Sequence, residues 1–564
     1  MDEEKKIINI ENNILNEEAV LKKEEKKIQE LKKDISESEK IIPGNSLKDR
    51  AVNWLKKSPN LAFIGVMIFV IAVRFYYFWI TKNQPLWWDE AEYMSTAKSF
   101  AGIIHFDYIF SLNRFPGFSM LVSLFYMIGI SNEVILRFLF AFIPSILAIG
   151  LMYFVLTSMY SDKRIALISV AIFSVLWEHV FYSNRFHTEN LSLIFEFLAI
   201  IILFRVYLKN KDLGFIKSKY ALLWIALFTL ICIMFRSGNM IFIPVVVFFL
   251  LIVNFYKLPN KFKLPSILAA AIFFVIAFLS IGFLAKNHPA INMFYHYELP
   301  ISWSNLSVFY GFYQSLVPFI PSILFYAFLI GVIVVIGSIL IFPEGLKKVN
   351  RDIENSDYKA DIFNLILILA VLFFFIILLR QQGFEFRWFF ALLPAMFAFT
   401  AKGLIKFGDF IQSLSKAKYL SIILIIILLL FGVYTQYNHG DMIVKAKIDS
   451  YSQVKDSGLW MKENLNPEDS IVSASLTQHR YYSERNVFDF YVNGSNDNES
   501  AFDAKILKYK PKYLVISAFE QGFTPKWAYD WPNKHNDTAK PVKVYTQNTA
   551  QGSQPVLVVY EIKY

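Results

Sequence analysis

Gln84-Pro-Leu-Trp-Trp-Asp-Glu-Ala-Glu-Tyr-Met-Ser95 follows directly on an unbroken apolar run of membrane length, read at about 60–81. The stretch decides the fold because it marks where a first transmembrane helix ends and what stands at its mouth. Asp89, Glu90 and Glu92 meet the water interface among Trp87, Trp88 and Tyr93. An acid at membrane depth costs roughly 2.5–3.5 kcal/mol on insertion scales, so such a cluster is a site hypothesis by default. Two readings fit the stretch taken alone. Either the acids line a site, or the aromatic residues form an interfacial belt and Asp89 caps a short surface helix.

Composition places the whole chain in a membrane. Its 564 residues are 55% hydrophobic and 17% aromatic, with 57 Phe, and the mean hydropathy is +0.42. A soluble protein of this make-up could not cover its apolar surface. The net charge of +10 is a topology signal rather than a nucleic-acid signal, because Lys and Arg gather in alternate short loops. The single cysteine, Cys232, excludes an internal disulfide. The first apolar run starts near Leu61, too late and too long for a cleavable leader, and reads as a retained anchor.

Residues 1–57 are polar and rich in Lys and Glu. Ile7, Ile14, Leu21, Ile28 and Ile35 recur every seven residues, which predicts an amphipathic helix or short coiled coil and a possible route to self-association. A charged, partly helical tail fits as well, since Glu17 and Glu24 interrupt the second seam position. Residues 58–437 read as the membrane domain. Membrane-length runs fall at about 60–81, 133–157, 165–182, 190–208, 220–235, 239–256, 265–285, 320–342, 361–379, 388–402 and 419–437, about 11 spans in all. The apolar stretch from Phe115 to Gly129 is short for a span and reads as a helix lying in the interface of the first external loop.

The positive-inside rule orients the spans. Lys163-Arg164 and the Lys-rich loops Arg205–Lys219, Lys257–Lys263, Lys347–Lys359 and Lys402–Lys418 share one side with the N-terminal tail, so that side is cytoplasmic. The expectation is a multi-pass plasma-membrane protein with a cytoplasmic N-terminus and residues 438–564 outside. That last segment has soluble composition. Asp449–Leu465 reads as a helix. Ile471–Ser475, Val487–Tyr491, Tyr513–Ser517, Val542–Tyr545 and Val556–Ile562 read as strands, with another helix near Ala501–Tyr509. The alternation predicts a small extracytoplasmic α/β domain. Its acids, including Asp489, Asp503 and Glu520, show no pairing in the sequence.

Three polar groups fall on the outer side in this topology: Asp89 with Glu90 and Glu92, Tyr182-Ser-Asn-Arg185-Phe-His187-Thr-Glu189, and Glu385-Phe-Arg387. Acids from one loop and cations from others can bind an anionic, membrane-embedded donor and deprotonate an acceptor. Arginine suits a phosphate headgroup at the interface through two parallel hydrogen bonds. Each residue also has a structural reading. Glu189 opens a span, where the helix dipole alone stabilises a carboxylate. Arg185, Arg387 and above all Arg236 could be snorkelling interface residues. His187 and His296 read as polar loop residues, since no paired His spacing supports a dedicated metal site.

The run Trp87-Trp-Asp-Glu-Ala-Glu-Tyr93 after a first span resembles the first-loop motif of type C membrane glycosyltransferases. The family 39 group, which includes polyprenyl-phosphate-mannose protein mannosyltransferases and their prokaryotic relatives, is the nearest likeness, and lipid A aminoarabinose transferases are kin. Asn113-Arg-Phe-Pro-Gly-Phe118 is similar to that family's interfacial-helix segment, and Ser131–Arg137 to the start of its second span. Tyr182–Glu189 resembles its second external motif, and Phe386–Pro394 its late Arg-Tyr-…-Pro motif. Gly458–Asp469 with Tyr481-Tyr-Ser-Glu-Arg485 resembles the external domain of many prokaryotic members. The chain departs in having Trp388 for Tyr, and Arg114-Phe-Pro116 for the commoner His-Pro-Pro.

The resemblance implies an inverting transferase that moves a sugar, a hexose such as mannose, from a polyprenyl phosphate to a protein, glycan or lipid acceptor. Asp89 would be the general base and Glu90 a supporting acid. Arg387, Arg185, Glu189, Glu385, Tyr93 and Arg114 would contact donor or acceptor. No cofactor is required by this reading, a divalent cation remains open, and membrane lipids are the remaining partners. Two alternatives stand beside it: a transporter or lipid-handling protein, and a glycan polymerase or ligase of the same architecture.

Overall fold

The computed structural model describes residues 58–104, 115–255, 322–340, 356–373, 386–415, 417, 419–491, 498–549 and 552–564. The coiled-coil expectation at 1–57 and the span expected at 265–285 lie outside them. Among the described residues, seven helices are long and apolar enough to cross a membrane: Ser58–Thr81, Glu133–Met159, Glu189–Leu208, Ser218–Phe235, Ser237–Asn254, Phe389–Ser415 and Leu420–Ala446. At 1.5 Å per residue even the 18-residue members approach the ~30 Å hydrocarbon thickness. The chain is a multi-span α-helical membrane protein with a C-terminal sheet domain.

Gly117–Met127 is an apolar helix of 11 residues, only ~16 Å long and too short to cross. Gly129, at φ +85°, turns the chain out of it. Two expected spans are corrected. The run at 165–182 is broken: a helix over Lys163–Val175 stops at Leu176, whose ψ of 113° leaves helical geometry, and Trp177–Tyr182 forms a separate short helix. The break leaves the Trp177 amide without a helical acceptor, and Gln436 of the last span accepts it at 2.9 Å. Non-helical backbone at such depth is tolerated only where protein supplies that partner. The last span runs to Ala446, about two and a half turns beyond the expected 437.

Close packing of two helices depends on small residues. A Cβ on Gly331 would strike the Phe399 carbonyl, and one on Gly403 the Ala327 carbonyl, so Ser322–Leu340 and Leu393–Ser415 approach backbone to backbone.

The C-terminal domain holds five strands: β1 (Ser470–Ser473), β2 (Asn486–Phe488), β3 (Tyr513–Ser517), β4 (Ala539–Thr549) and β5 (Gly552–Ile562). Their order is β2-β1-β3-β5-β4. β1 is parallel to β2 and β3, while β5 is antiparallel to β3 and β4. Both faces are covered. Ile471, Val515 and Val559 pack with Val454 and Met461 of the Ser452–Asn464 helix, whereas Val472 and Leu514 pack with Phe502 and Ile506 of Glu499–Tyr509. Alternate residues of a strand thus enter two different cores, as a period of two requires.

This domain is not a detached appendage. Tyr481 and Tyr482, on the Leu476–Ser483 helix, share one buried cluster with Leu86, Ala91, Met94, Phe118 and Tyr126 of the first loop. The Tyr482 hydroxyl accepts the Leu86 amide at 2.8 Å. Lys98 reaches Glu484 at 2.7 Å and the Tyr481 carbonyl at 3.1 Å.

Candidate functional site

The polar residues gather at one end of the bundle. The Ser58–Thr81 and Ser218–Phe235 helices arrive there, Glu133–Met159, Glu189–Leu208 and Leu393–Ser415 depart from it, and Asp89 and Glu90 open the Trp88–Phe100 helix. The last span, Leu420–Ala446, also arrives at this end and leads into the sheet domain.

Asp89 and Glu90 are sequence neighbours with different surroundings. Asp89 keeps about a fifth of its side chain exposed, and its Oδ2 lies 2.6 Å from Arg387 Nη2. Glu90 is fully buried and fully engaged. Its Oε2 accepts the Trp87 amide at 3.0 Å and Arg185 Nη1 at 3.1 Å, and its Oε1 accepts the Phe186 amide at 2.8 Å and lies 3.7 Å from Arg137 Nη1. Burial pushes the Glu90 carboxyl up, but Arg185 and Arg137 outweigh it and hold the group below its ordinary value. The helix begins at Trp88 with Trp87 as its N-cap, so Glu90 at the third helical position reaches back to the first unpaired amide. The alternative reading, in which Asp89 caps the helix, is not met: the carboxylate that reaches back is that of Glu90.

Arg185 is held from two sides. Its guanidinium lies 3.6 Å over the Trp87 ring and 4.6 Å over Phe181 while it pairs with Glu90. Arg137 donates to the Gln84 carbonyl at 2.9 Å and the Asn184 carbonyl at 2.6 Å. It stands just before a π-helical turn, Phe138–Phe142, of the kind that re-aims a helix face. Together these contacts tie the first loop to the second.

Arg387 joins the loops to the late motif. Besides Asp89, its Nη1 lies 2.9 Å from His187 Nδ1 and its Nε 3.7 Å from Glu189 Oε1. Arg236 lies 3.6 Å from the same Glu189 oxygen and donates to the Arg387 carbonyl at 2.9 Å. The snorkelling reading of Arg236 is corrected, because its cation faces inward onto Glu189 and Arg387. His187 is buried, and its pKa is pushed down to about 4 by burial and by the neighbouring Arg387, so the ring is neutral. Four guanidiniums thus face three carboxylates, a formal excess of one positive charge.

Of the residues singled out in the sequence, Asp89, Glu90, Arg185, Glu189 and Arg387 are brought together. The Tyr93 ring stands edge-on to Phe118 of the Gly117–Met127 helix at 5.5 Å. Arg114 and Glu385 lie outside the described residues. Sequence reasoning missed Arg137, Arg236 and His187 as members of the cluster. The signal for Arg236 was its turn, Arg236-Ser-Gly-Asn239, which the sequence expectation puts on the same side as the acids.

The sheet domain also reaches the site mouth. Glu520 Oε1 accepts the Trp88 indole N–H at 2.7 Å, and Phe523 packs on the Trp88 ring at 5.1 Å. Burial raises the Glu520 pKa. The acids that looked unpaired in the sequence all have partners: Asp489 binds Lys505 at 2.8 Å and Asp503 binds the Trp531 indole at 2.7 Å. Among the described residues, no group of three or more His, Cys, Asp or Glu side chains could hold a metal ion.

No protein-family model matches the chain, and no curated protein matches its sequence. Among solved structures the chain is similar to ArnT from Cupriavidus metallidurans, both in the apo state and bound to undecaprenyl phosphate. Each is 12% identical, with a TM-score of 0.48, and the match covers 88% of this chain and 98% of the other.

Proposed function

We propose that the chain is an inverting, polyprenyl-phosphate-sugar-dependent membrane glycosyltransferase, with Asp89 as general base and Arg387 as phosphate contact. The observation that carries this reading is the direct pairing of Asp89 with Arg387 at 2.6 Å in a cluster of net positive charge. A base and an anion-binding cation within one hydrogen bond of each other match a reaction in which a proton is lost on one side of a carbon and a phosphate leaves on the other.

The steps follow from these side chains. The donor phosphate competes for the Arg387 guanidinium, and the Asp89 carboxylate is released toward the acceptor. The acceptor hydroxyl oxygen attacks the anomeric carbon from the face opposite the phosphate, and its proton passes to Asp89. The bond from that carbon to the phosphate oxygen breaks, its electron pair stays on the phosphate, and Arg387 with Arg236 stabilises the charge. Attack from the opposite face inverts the sugar carbon. Glu90, with both oxygens engaged, positions the loop rather than reacting. The site faces the outside of the cell, with a hexose as the sugar and the sheet domain beside the acceptor.

The test is transfer by the purified full-length chain from a radiolabelled polyprenyl-phosphate hexose, read as polyprenyl phosphate released and label moved to an acceptor. Absence of release from every polyprenyl-phosphate hexose tried, with solute flux in reconstituted vesicles, would replace this reading with transport.

A further inference from the structure

His187 plays no part in the steps above, and its geometry calls for an explanation. The imidazole is 4% exposed and lies edge-on to the Tyr182 ring at 4.8 Å. Its Nδ1 is 2.9 Å from Arg387 Nη1. A guanidinium has only hydrogens to give, so Nδ1 must be the accepting nitrogen. In a neutral ring the proton then sits on Nε2. That Nε2 is buried and has no hydrogen-bond partner among the described residues. A buried N–H left without an acceptor costs about 1–3 kcal/mol. Glu189 Oε1 lies 3.7 Å from Arg387 Nε, and Glu189 Oε2 is 3.9 Å from the other imidazole nitrogen, Nδ1. Neither satisfies Nε2.

We propose that His187 is a donor-binding residue that gives its Nε2–H to an oxygen of the donor phosphate beside the Arg387 guanidinium. The inference rests on the glycosyltransferase reading and deepens it. One ring does two things: its Nδ1 holds Arg387 in place, and its Nε2–H adds a neutral donor to the cation. The two ring nitrogens point apart, so Nε2–H reaches an oxygen of the donor that Arg387 does not hold, and no change in protonation of the ring is required.

The test separates the two roles. His187→Asn places an amide oxygen near the position of Nδ1, which preserves the bond from Arg387, but puts nothing at Nε2. His187→Gln places an amide N–H near Nε2. Undecaprenyl phosphate binding to the detergent-purified full-length chain is measured for wild type and both variants. His187→Asn should bind about 10-fold more weakly or worse, as loss of a hydrogen bond to a charged group predicts, and His187→Gln should stay within about 3-fold of wild type. Wild-type binding matched by His187→Asn would overturn the assignment while leaving the proposed function intact. Absence of binding by the wild type would overturn both. A readout taken on the wild type itself is its imidazole 15N spectrum, with the His187 signal identified by its loss in His187→Gln. The protonated Nε2 signal should shift on adding undecaprenyl phosphate, and an unchanged signal at saturation would contradict the proposal.

Discussion

Asp89 and Arg387 are 298 residues apart in the chain, and their side chains meet at 2.6 Å. The pair joins the first loop to the late motif and leaves the guanidinium shared among Asp89, His187 and Glu189. A phosphate bound at Arg387 would compete with Asp89 for the guanidinium. Arg387→Ala should weaken undecaprenyl phosphate binding by about 10- to 100-fold, the worth of a charge-assisted hydrogen bond. Arg387→Lys should recover only part of it, because a single ammonium on a flexible stem does not reproduce the guanidinium fork. Equal binding by wild type and Arg387→Ala would remove Arg387 from the donor site.

Glu90 should behave as a structural anchor. Removing one partner of a buried ion pair costs about 3–5 kcal/mol because the other charge is left stranded. Here two arginines, Arg185 and Arg137, would be stranded together. Glu90→Gln should therefore lower the thermal unfolding temperature of the detergent-solubilised protein strongly, with activity lost in proportion to folded protein. A Glu90→Gln protein that melts like wild type yet turns over slowly would make Glu90 a chemical participant instead.

The sheet domain should prove inseparable from the first loop. Tyr482→Phe removes the acceptor of the buried Leu86 amide and should cost about 1–3 kcal/mol. Truncation after Asn438 should expose the cluster that Tyr481 and Tyr482 complete and give an aggregating product. Monodisperse truncated protein that binds undecaprenyl phosphate would contradict this. Glu520→Ala, which cuts the bond to the Trp88 indole, should loosen the residue next to the base and lower turnover more than donor affinity.

Acid should destabilise the protein through its buried histidines. His187 is depressed to about 4, and His479, held between Ser457 and Ser473 hydroxyls, to about 3. An unfolded imidazole takes up a proton near 6.5, so below that pH the unfolded state binds more protons than the folded one. The stabilisation is complete above pH 6.5 and is lost as pH falls toward 4 for His187 and 3 for His479. At 1.36 kcal/mol per unit, His187 contributes roughly 3 kcal/mol across its window. Replacing His479 with Gln should flatten the fall of unfolding temperature between pH 6.5 and 4, and an unchanged slope would show that His479 is not responsible.

Much of this architecture is legible in the sequence because its signals are local. Unbroken apolar runs mark the spans, the bounds of Tyr513–Ser517 coincide with β3, and the Gly-flanked stretch at 115–129 is too short to cross. What is not legible depends on partners distant in the chain. Leu176 carries no Gly or Pro to announce a break, because Gln436, 259 residues away, satisfies the Trp177 amide. Asp89 and Glu90 look alike as neighbouring acids, and only the positions of Arg137, Arg185 and Arg387 separate a saturated anchor from an accessible carboxylate. His187 reads as an ordinary loop residue until Arg387 stands against its Nδ1.

The proposed role of Asp89 in taking the acceptor proton is tested by single-turnover sugar transfer by Asp89→Asn, measured beside its donor affinity. The asparagine keeps the size of the side chain and gives up its charge and its ability to accept the proton, and it no longer competes as an anion for Arg387. Transfer should fall by roughly two to four orders of magnitude, the usual worth of general-base catalysis, with undecaprenyl phosphate bound as tightly as by wild type or more tightly. Transfer at the wild-type rate by folded Asp89→Asn protein would contradict the account, and Glu189 would then be the next carboxylate to replace.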